Sequence, residues 1–376
     1  LTPLKGGSIM EQYKLFIPGP VEVSADVLEA MGAPIQPHYG PYWTKFYKET
    51  IDLLRKVFQT NGDIYIMVGS GTVAIDACLG SAFCTGEKVI VGTNGFFGDR
   101  LKWIAEGYGL QPILVTAEWG KPLTPADFEI AFKKNPEAKG AAVVHLETST
   151  TIQNPIEKIG PIVRKHGGTF VVDAVSSLGG SELAMDDWCI DLCASATQKC
   201  LGAPPGLGPV AVGKRAWEAI DCKADKAHGW YCDLRTWRKY AIEWGDWHPS
   251  PITMAVNTVS ALNVALQELI QEGIATRLER YRKLALRLRA GLGKVGFVPF
   301  TPEEQMSPVL TAGLCPEGIS SGQVVSYLSE KHHIKISGGL GVLKEKMIRI
   351  GTMSPQISEK EVDHLLAALQ DFMQNK

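Results

Sequence analysis

Residues 141–174 read AAVVHLE, then TSTTIQNPIEKIGPIVRKHGG, then TFVVDA, closing on Asp173 and Ala174. Two continuous apolar runs rich in valine flank a helical pattern, and neither run alternates polar with apolar residues. Runs of that kind suit strands buried on both faces, as in a parallel sheet covered by helices. The segment therefore predicts a strand–helix–strand unit, with Asp173 at the carboxyl end of its second strand.

The same rhythm extends outward in both directions. IYIMVG (64–69) precedes a helix from about Thr72, KVIVG (88–92) leads to a helix near Gly98, and PILVT (112–116) precedes one near Pro125. DLCASA (191–196) and GPVAVG (208–213) complete a mostly parallel seven-stranded α/β sheet, whose ligands belong beyond the carboxyl ends of the strands. The last third changes character. A long helical segment over about 258–295 is followed by VLTAGL, a helix near 324–332, HIKISGG, IRIG and a final helix. This predicts a smaller α+β C-terminal domain. The expected division is a leader and arm over 1–27, a large domain over 28–265 and a small domain over 266–376. Residues 1–9 read as a leader before Met10, and the arm around Leu15–Pro20 is expected to join the small domain.

Composition narrows the function classes. The 376 residues are 45% hydrophobic and 21% charged, with a formal net charge of −2, which lacks the basic excess that a phosphate backbone requires. Nucleic acid is not an expected partner. No apolar run approaches the ~20 residues that span a bilayer, so no membrane is expected either. Eight cysteines are scattered without C-x-x-C spacing. They predict reduced core thiols in a cytoplasmic protein, with no metal cage and no disulfide frame.

Three polar features stand out. GSGTVA (69–74) fits the dinucleotide fingerprint G-x-G-x-x-A, but the acid that should close the next strand is missing, because Glu87 opens that strand instead. What remains is a turn whose backbone N–H groups and hydroxyls, from Ser70, Gly71 and Thr72, suit a phosphate, or an ordinary capped turn. Asp173 ends a buried strand, where a carboxylate needs a positive or hydrogen-bonding partner. Lys199 sits in SATQKCLGAPPG (195–206) among small and turn-forming residues, with no acid within five positions. A solvated loop lysine is the ordinary alternative. Taken together, the three suit a ligand with a phosphate, a basic ring nitrogen and an aldehyde, which is pyridoxal 5′-phosphate. Asp173 would keep the ring nitrogen protonated, and a desolvated Lys199 would hold the aldehyde covalently.

These residues lie in motifs that resemble the class V, fold type I aminotransferases, most closely the alanine–glyoxylate and serine–pyruvate group. The resemblance runs from about Phe16 to the C-terminal helix through FIPGP, GSGTVAIDA, GTNGFFGDR, HLETSTTIQNP, VVDAVSSLGG, SATQKCLGAPPG and IRIGTM. It implies Lys199 and Asp173 as catalytic residues and Phe97 as the aromatic stacked on the pyridine ring. Thr148 would lie near the ring oxygen, and Ser70, Gly71, Thr72 and Gln198 would form the phosphate cup. Arg349 would clamp the substrate α-carboxylate. A homodimer is implied, with Ser250 reaching the neighbouring subunit's phosphate and Trp247 standing where many relatives have tyrosine. Cys200, beside the lysine, is expected to be a packed thiol.

The implied reaction moves an amino group from a small L-amino acid, alanine or serine, to a 2-oxo acid, glyoxylate or pyruvate, with ping-pong kinetics. Pyridoxamine–pyruvate and ureidoglycine–glyoxylate aminotransferases are alternatives within the resemblance. The aromatic stretch HYGPYW (38–43) replaces the H-R-S common near this position and predicts an altered substrate wall. A same-fold desulfurase would need a mobile cysteine before Arg349, where Ser337 stands instead. A non-enzymatic binding protein would have no use for Lys199, Asp173 and Arg349 together.

Overall fold

A computed structural model describes residues 11–223 and 229–376. The expected leader, residues 1–9, lies outside the described residues. Seven strands build the main sheet: β1 (Asp63–Val68), β2 (Lys88–Thr93), β3 (Gln111–Thr116), β4 (Gly140–Val144), β5 (Thr169–Asp173), β6 (Leu192–Ala194) and β7 (Leu207–Val212). Their order is β1-β7-β6-β5-β4-β2-β3. β7 runs antiparallel to both of its neighbours, and the other strands run parallel to one another. Every residue of β4, β5, β6 and β7 is buried, which explains why these runs lack alternation.

The run expected as one strand over 141–147 divides. β4 ends at Val144, whose register partner Asp173 ends β5, so the ladder has no further rung on that side. The chain then leaves the sheet. Leu146–Glu147 pairs with Ile152–Gln153, and Asn154 closes this small ribbon by donating to the carbonyls of Val144 and His145. Glu147 and Thr148 are thereby lifted over the carboxyl edge of the sheet.

The helical segment expected over 258–295 is two helices, Val256–Glu272 and Ile274–Lys294. Gly273 separates them at φ 86°, a conformation that favours glycine and ends an α-helix. The first helix packs against the main sheet's core through Val259, Leu262, Leu266 and Leu269. The second contributes Leu284, Leu288 and Leu292 to a separate core, under a four-stranded antiparallel sheet that holds Met347–Gly351. The helix Gly40–Phe58 adds an element beyond the expected pattern; Trp43, Tyr47, Ile51, Leu54 and Phe58 form its buried face.

The N-terminal arm joins the two cores. Lys14–Leu15 pairs in parallel with Ile334–Lys335, and Phe16 is buried in the small core while its carbonyl accepts from Gly351 N. A few residues on, Val21 N donates to the carbonyl of Gln198. The strand of Arg349 and the loop of Lys199 are thus held by one short segment. All eight cysteines are free, but only Cys78, Cys193 and Cys200 are buried, and Cys222 is exposed, so the core-thiol expectation holds for three. Among the described residues, no helix is long and apolar enough to cross a membrane.

Candidate active site

The carboxyl edge of the main sheet opens into a cleft of about 160 Å³ lined by Ser70, Gly71, Thr72, Phe97, Thr148, Asp173, Gln198 and Lys199. Eight side chains or turns singled out in the sequence therefore meet in one place. A larger cavity, about 820 Å³, lies between residues 272–284 and 355–359 and holds none of them.

Ser70 caps the helix Gly71–Ala82, its Oγ accepting from Thr72 N at 3.3 Å. The first backbone N–H groups of a helix have no intrahelical acceptor, so this end of the cleft presents donors to an anion. Asp173 Oδ1 accepts from Val175 N at 2.9 Å. Burial pushes its carboxyl up to about 6, against the pull of the Val175 amide, while the nearby Glu147 charge adds to the push.

Lys199 is buried enough to bring its amine down to about 8, and the charges of Arg349 and Arg100 push the same way. Its Nζ donates to the carbonyl of Pro18. Gly19 lies so close that a Cβ there would stand 2.6 Å from Lys199 Cδ, and its φ of 97° favours glycine for a second reason. Cys200 is fully buried with its thiol pushed up to about 12 by burial, as a packed thiol should be.

Arg349 occupies the centre of Met347–Gly351 and is 6% exposed. Its Nε donates to the carbonyl of Gly338 at 2.8 Å and its Nη1 to that of Thr148 at 3.0 Å. Burial brings the guanidinium down to about 10, opposed by the charge of Glu147. Arg349 does not line the cleft itself; it joins the site through Thr148, whose Oγ1 lies 2.7 Å from Ser176 Oγ.

Two predicted residues stand elsewhere in this chain. Ser250 is buried with its Oγ donating to the carbonyl of Ile252, and Trp247 is half exposed beside Tyr39 and Trp244. Neither lines the cleft of its own chain. Nor does the stretch 38–43, in which Trp43 is buried in the core and Tyr42 is exposed.

Glu147 was not among the sequence-predicted site residues. Its fully buried carboxylate accepts from Phe97 N at 3.0 Å, Gly98 N at 2.9 Å, Ser149 N at 2.9 Å and Ser149 Oγ at 2.5 Å. It thus caps the helix Phe96–Gly107 and fixes the backbone of Phe97. Burial raises its pKa, and those four donors oppose the rise. The available signal was an acid three residues beyond a valine strand, followed by four hydroxyl residues, Thr148 to Thr151. Arg100, in GTNGFFGDR, also lines the cleft.

A family model described as aminotransferase class-V matches residues 28–365. The chain belongs to the class-V aminotransferases. It is 39% identical over 356 residues to an uncharacterized aminotransferase of Methanocaldococcus jannaschii, covering 95% of this chain and 91% of that one. The solved alanine–glyoxylate aminotransferase of Nostoc sp. is 32% identical with a TM-score of 0.94, over 99% of this chain and 97% of that one. The ureidoglycine–glyoxylate aminotransferase of Bacillus subtilis is also 32% identical, with a TM-score of 0.93 over 98% and 94%. This aminotransferase therefore has the fold type I architecture of the pyridoxal phosphate enzymes. The cleft fits that cofactor chemically. It offers a helix N-terminus with the hydroxyls of Ser70 and Thr72 at one end, a buried acid, an amine shifted toward neutrality, and a Gln198 side chain whose Oε1 is buried without a hydrogen-bond partner.

Proposed function

We propose that this aminotransferase uses pyridoxal 5′-phosphate to transfer the amino group of a small L-amino acid, alanine or serine, to glyoxylate or pyruvate. The observation that carries the reading is the convergence of Asp173 and Lys199 on one cleft beneath the helix N-terminus at Ser70. The cofactor, when bound, supplies an aldehyde that takes up the amino group and a ring that spreads the electrons released at the substrate Cα.

The chain's own residues do the rest. Ser70, Gly71, Thr72 and Gln198 hold the phosphate, and Phe97 stacks on the ring. Asp173 pairs with the ring nitrogen, and that positive partner draws its pKa down from about 6, so the carboxylate stays ionised at neutral pH. Lys199, with an amine brought down to about 8, is about one-tenth neutral at pH 7, far more than an ordinary lysine. It can bond to the aldehyde and, once displaced, take the proton from the substrate Cα. Arg349 binds the substrate carboxylate through guanidinium N–H groups left over from its bonds to Gly338 and Thr148.

A homodimer completes the site with the half-exposed Trp247 beside the partner's phosphate, while Ser250, fully buried and bonded to the Ile252 carbonyl, must turn outward on assembly to reach it. The half-exposed Tyr39, Trp244 and Trp247, with Tyr42 at 74% exposure, support this, because such an apolar surface is unusual on a monomer. Free thiols throughout suit the cytoplasm.

The likeness to the ureidoglycine–glyoxylate enzyme supports a second donor, and pyridoxamine is the third alternative. The deciding experiment supplies each donor separately, with glyoxylate or pyruvate as acceptor. L-alanine or L-serine is expected to give the 2-oxo acid with parallel double-reciprocal lines. Turnover with pyridoxamine alone, or with ureidoglycine alone, would replace the donor assigned here. Absence of turnover with all four would overturn the reading.

A further inference from the structure

Arg100 points from the helix Phe96–Gly107 into the phosphate end of the cleft. Its guanidinium carbon lies 4.5 Å from the centroid of the Phe97 ring and 5.6 Å from that of Phe96. Its Nη1 lies 3.4 Å from Thr72 Oγ1, in the first turn of Gly71–Ala82. No carboxylate pairs with it among the described residues. A cation is disfavoured at a helix N-terminus, where the unpaired N–H groups already carry positive partial charge. Stacking on Phe97 offsets part of that cost, but it supplies no counter-charge. Asp173, in the same cleft, feels the charge of Arg100, but among the described residues no carboxylate lies within ion-pair distance of the guanidinium.

We propose that Arg100 is the cationic ligand of the cofactor phosphate. The inference rests on the cofactor reading above and adds to it. The expected cup of Ser70, Gly71, Thr72 and Gln198 offers neutral donors only, whereas a phosphate monoester brings up to two negative charges. A guanidinium donates two parallel N–H bonds to such an oxyanion. The backbone of Phe97 is held separately by Glu147, so loss of the guanidinium should leave the ring that stacks on the pyridine in place.

The test uses cofactor-free protein titrated with pyridoxal phosphate and, separately, with pyridoxal, which keeps the ring and aldehyde but lacks the phosphate. Dissociation constants are read from tryptophan fluorescence and from visible absorbance. In Arg100→Gln the constant for pyridoxal phosphate is expected to rise by about 10- to 100-fold, while that for pyridoxal stays within about twofold. Inorganic phosphate should compete with pyridoxal phosphate in the native protein and much less in the variant. Arg100→Lys, which keeps the charge without the fork, should recover part of the loss. Equal weakening of both ligands would assign Arg100 to ring packing or folding and overturn the proposal, as would an unchanged constant for pyridoxal phosphate. A native protein that bound neither ligand would instead overturn the cofactor reading itself.

Discussion

Arg349 Nη1 donates to the carbonyl oxygen of Thr148 at 3.0 Å, and this bond ties the small sheet to the edge of the cleft. The residue proposed to bind the substrate carboxylate is therefore positioned by the same loop that lines the cleft. Arg349→Lys keeps a charge but loses the planar fork, so the Michaelis constants for the amino acid and the oxo acid should both rise about 10- to 100-fold. Arg349→Ala should do more, because it also leaves the Gly338 and Thr148 carbonyls without their donor. Steady-state kinetics on both substrates check this; unchanged Michaelis constants in the lysine variant would remove the assigned role.

Lys199 has its amine brought down to about 8, chiefly by burial. Cofactor capture requires the neutral amine. The capture rate should therefore rise nearly tenfold per pH unit below about 8 and level off above it, as stopped-flow absorbance can record. Lys199→Ala should lower turnover by roughly 100- to 10,000-fold or more while the protein remains folded. Relieving a buried amine of its charge does not threaten the fold, so circular dichroism of the variant should match the native protein.

Glu147 is the acceptor for four hydrogen bonds, two of them from the first turn of the helix that carries Phe97. Glu147→Gln replaces one acceptor oxygen by an NH2 group that faces donors. The loss should be about 1–3 kcal/mol in unfolding free energy, measured by denaturant titration. Displacement of Phe97 should weaken pyridoxal and pyridoxal phosphate alike, in contrast to the selective loss expected for Arg100→Gln.

The main sheet was legible because burial on both faces is written into composition: valines and alanines fill β4 and β5 without alternation. Lys199 and Asp173 were legible because a charged residue in apolar or small surroundings stands out along the chain. Glu147 and Arg100 were harder, since their meaning lies in partners far away in sequence: the amides of residues 97 and 98 for one, and the Thr72 hydroxyl for the other. The break at Gly273 was hidden for a different reason. A glycine inside a helical pattern costs only about 1 kcal/mol, so the pattern reads through it until the surrounding packing fixes a positive φ.

Asp173 sets function against stability. Its folded-state pKa, about 6, lies above the ordinary carboxylate value of 3.8, so the cofactor-free native state holds the proton more tightly than the unfolded chain. Stability should therefore fall as pH rises from about 4 to about 6, and above that range the ionised carboxylate costs roughly 3 kcal/mol. Asp173→Asn keeps an acceptor for Val175 N and removes the charge. Without cofactor, the variant should melt higher than the native protein at pH 7 and equally at pH 3.5, as scanning calorimetry across that range would show. With cofactor, the order should reverse in activity. The asparagine cannot pair as an anion with the ring nitrogen, and turnover should drop by at least about 100-fold. A variant both active and no more stable would mean that Asp173 neither pairs with the ring nor carries an ionised group in the empty site.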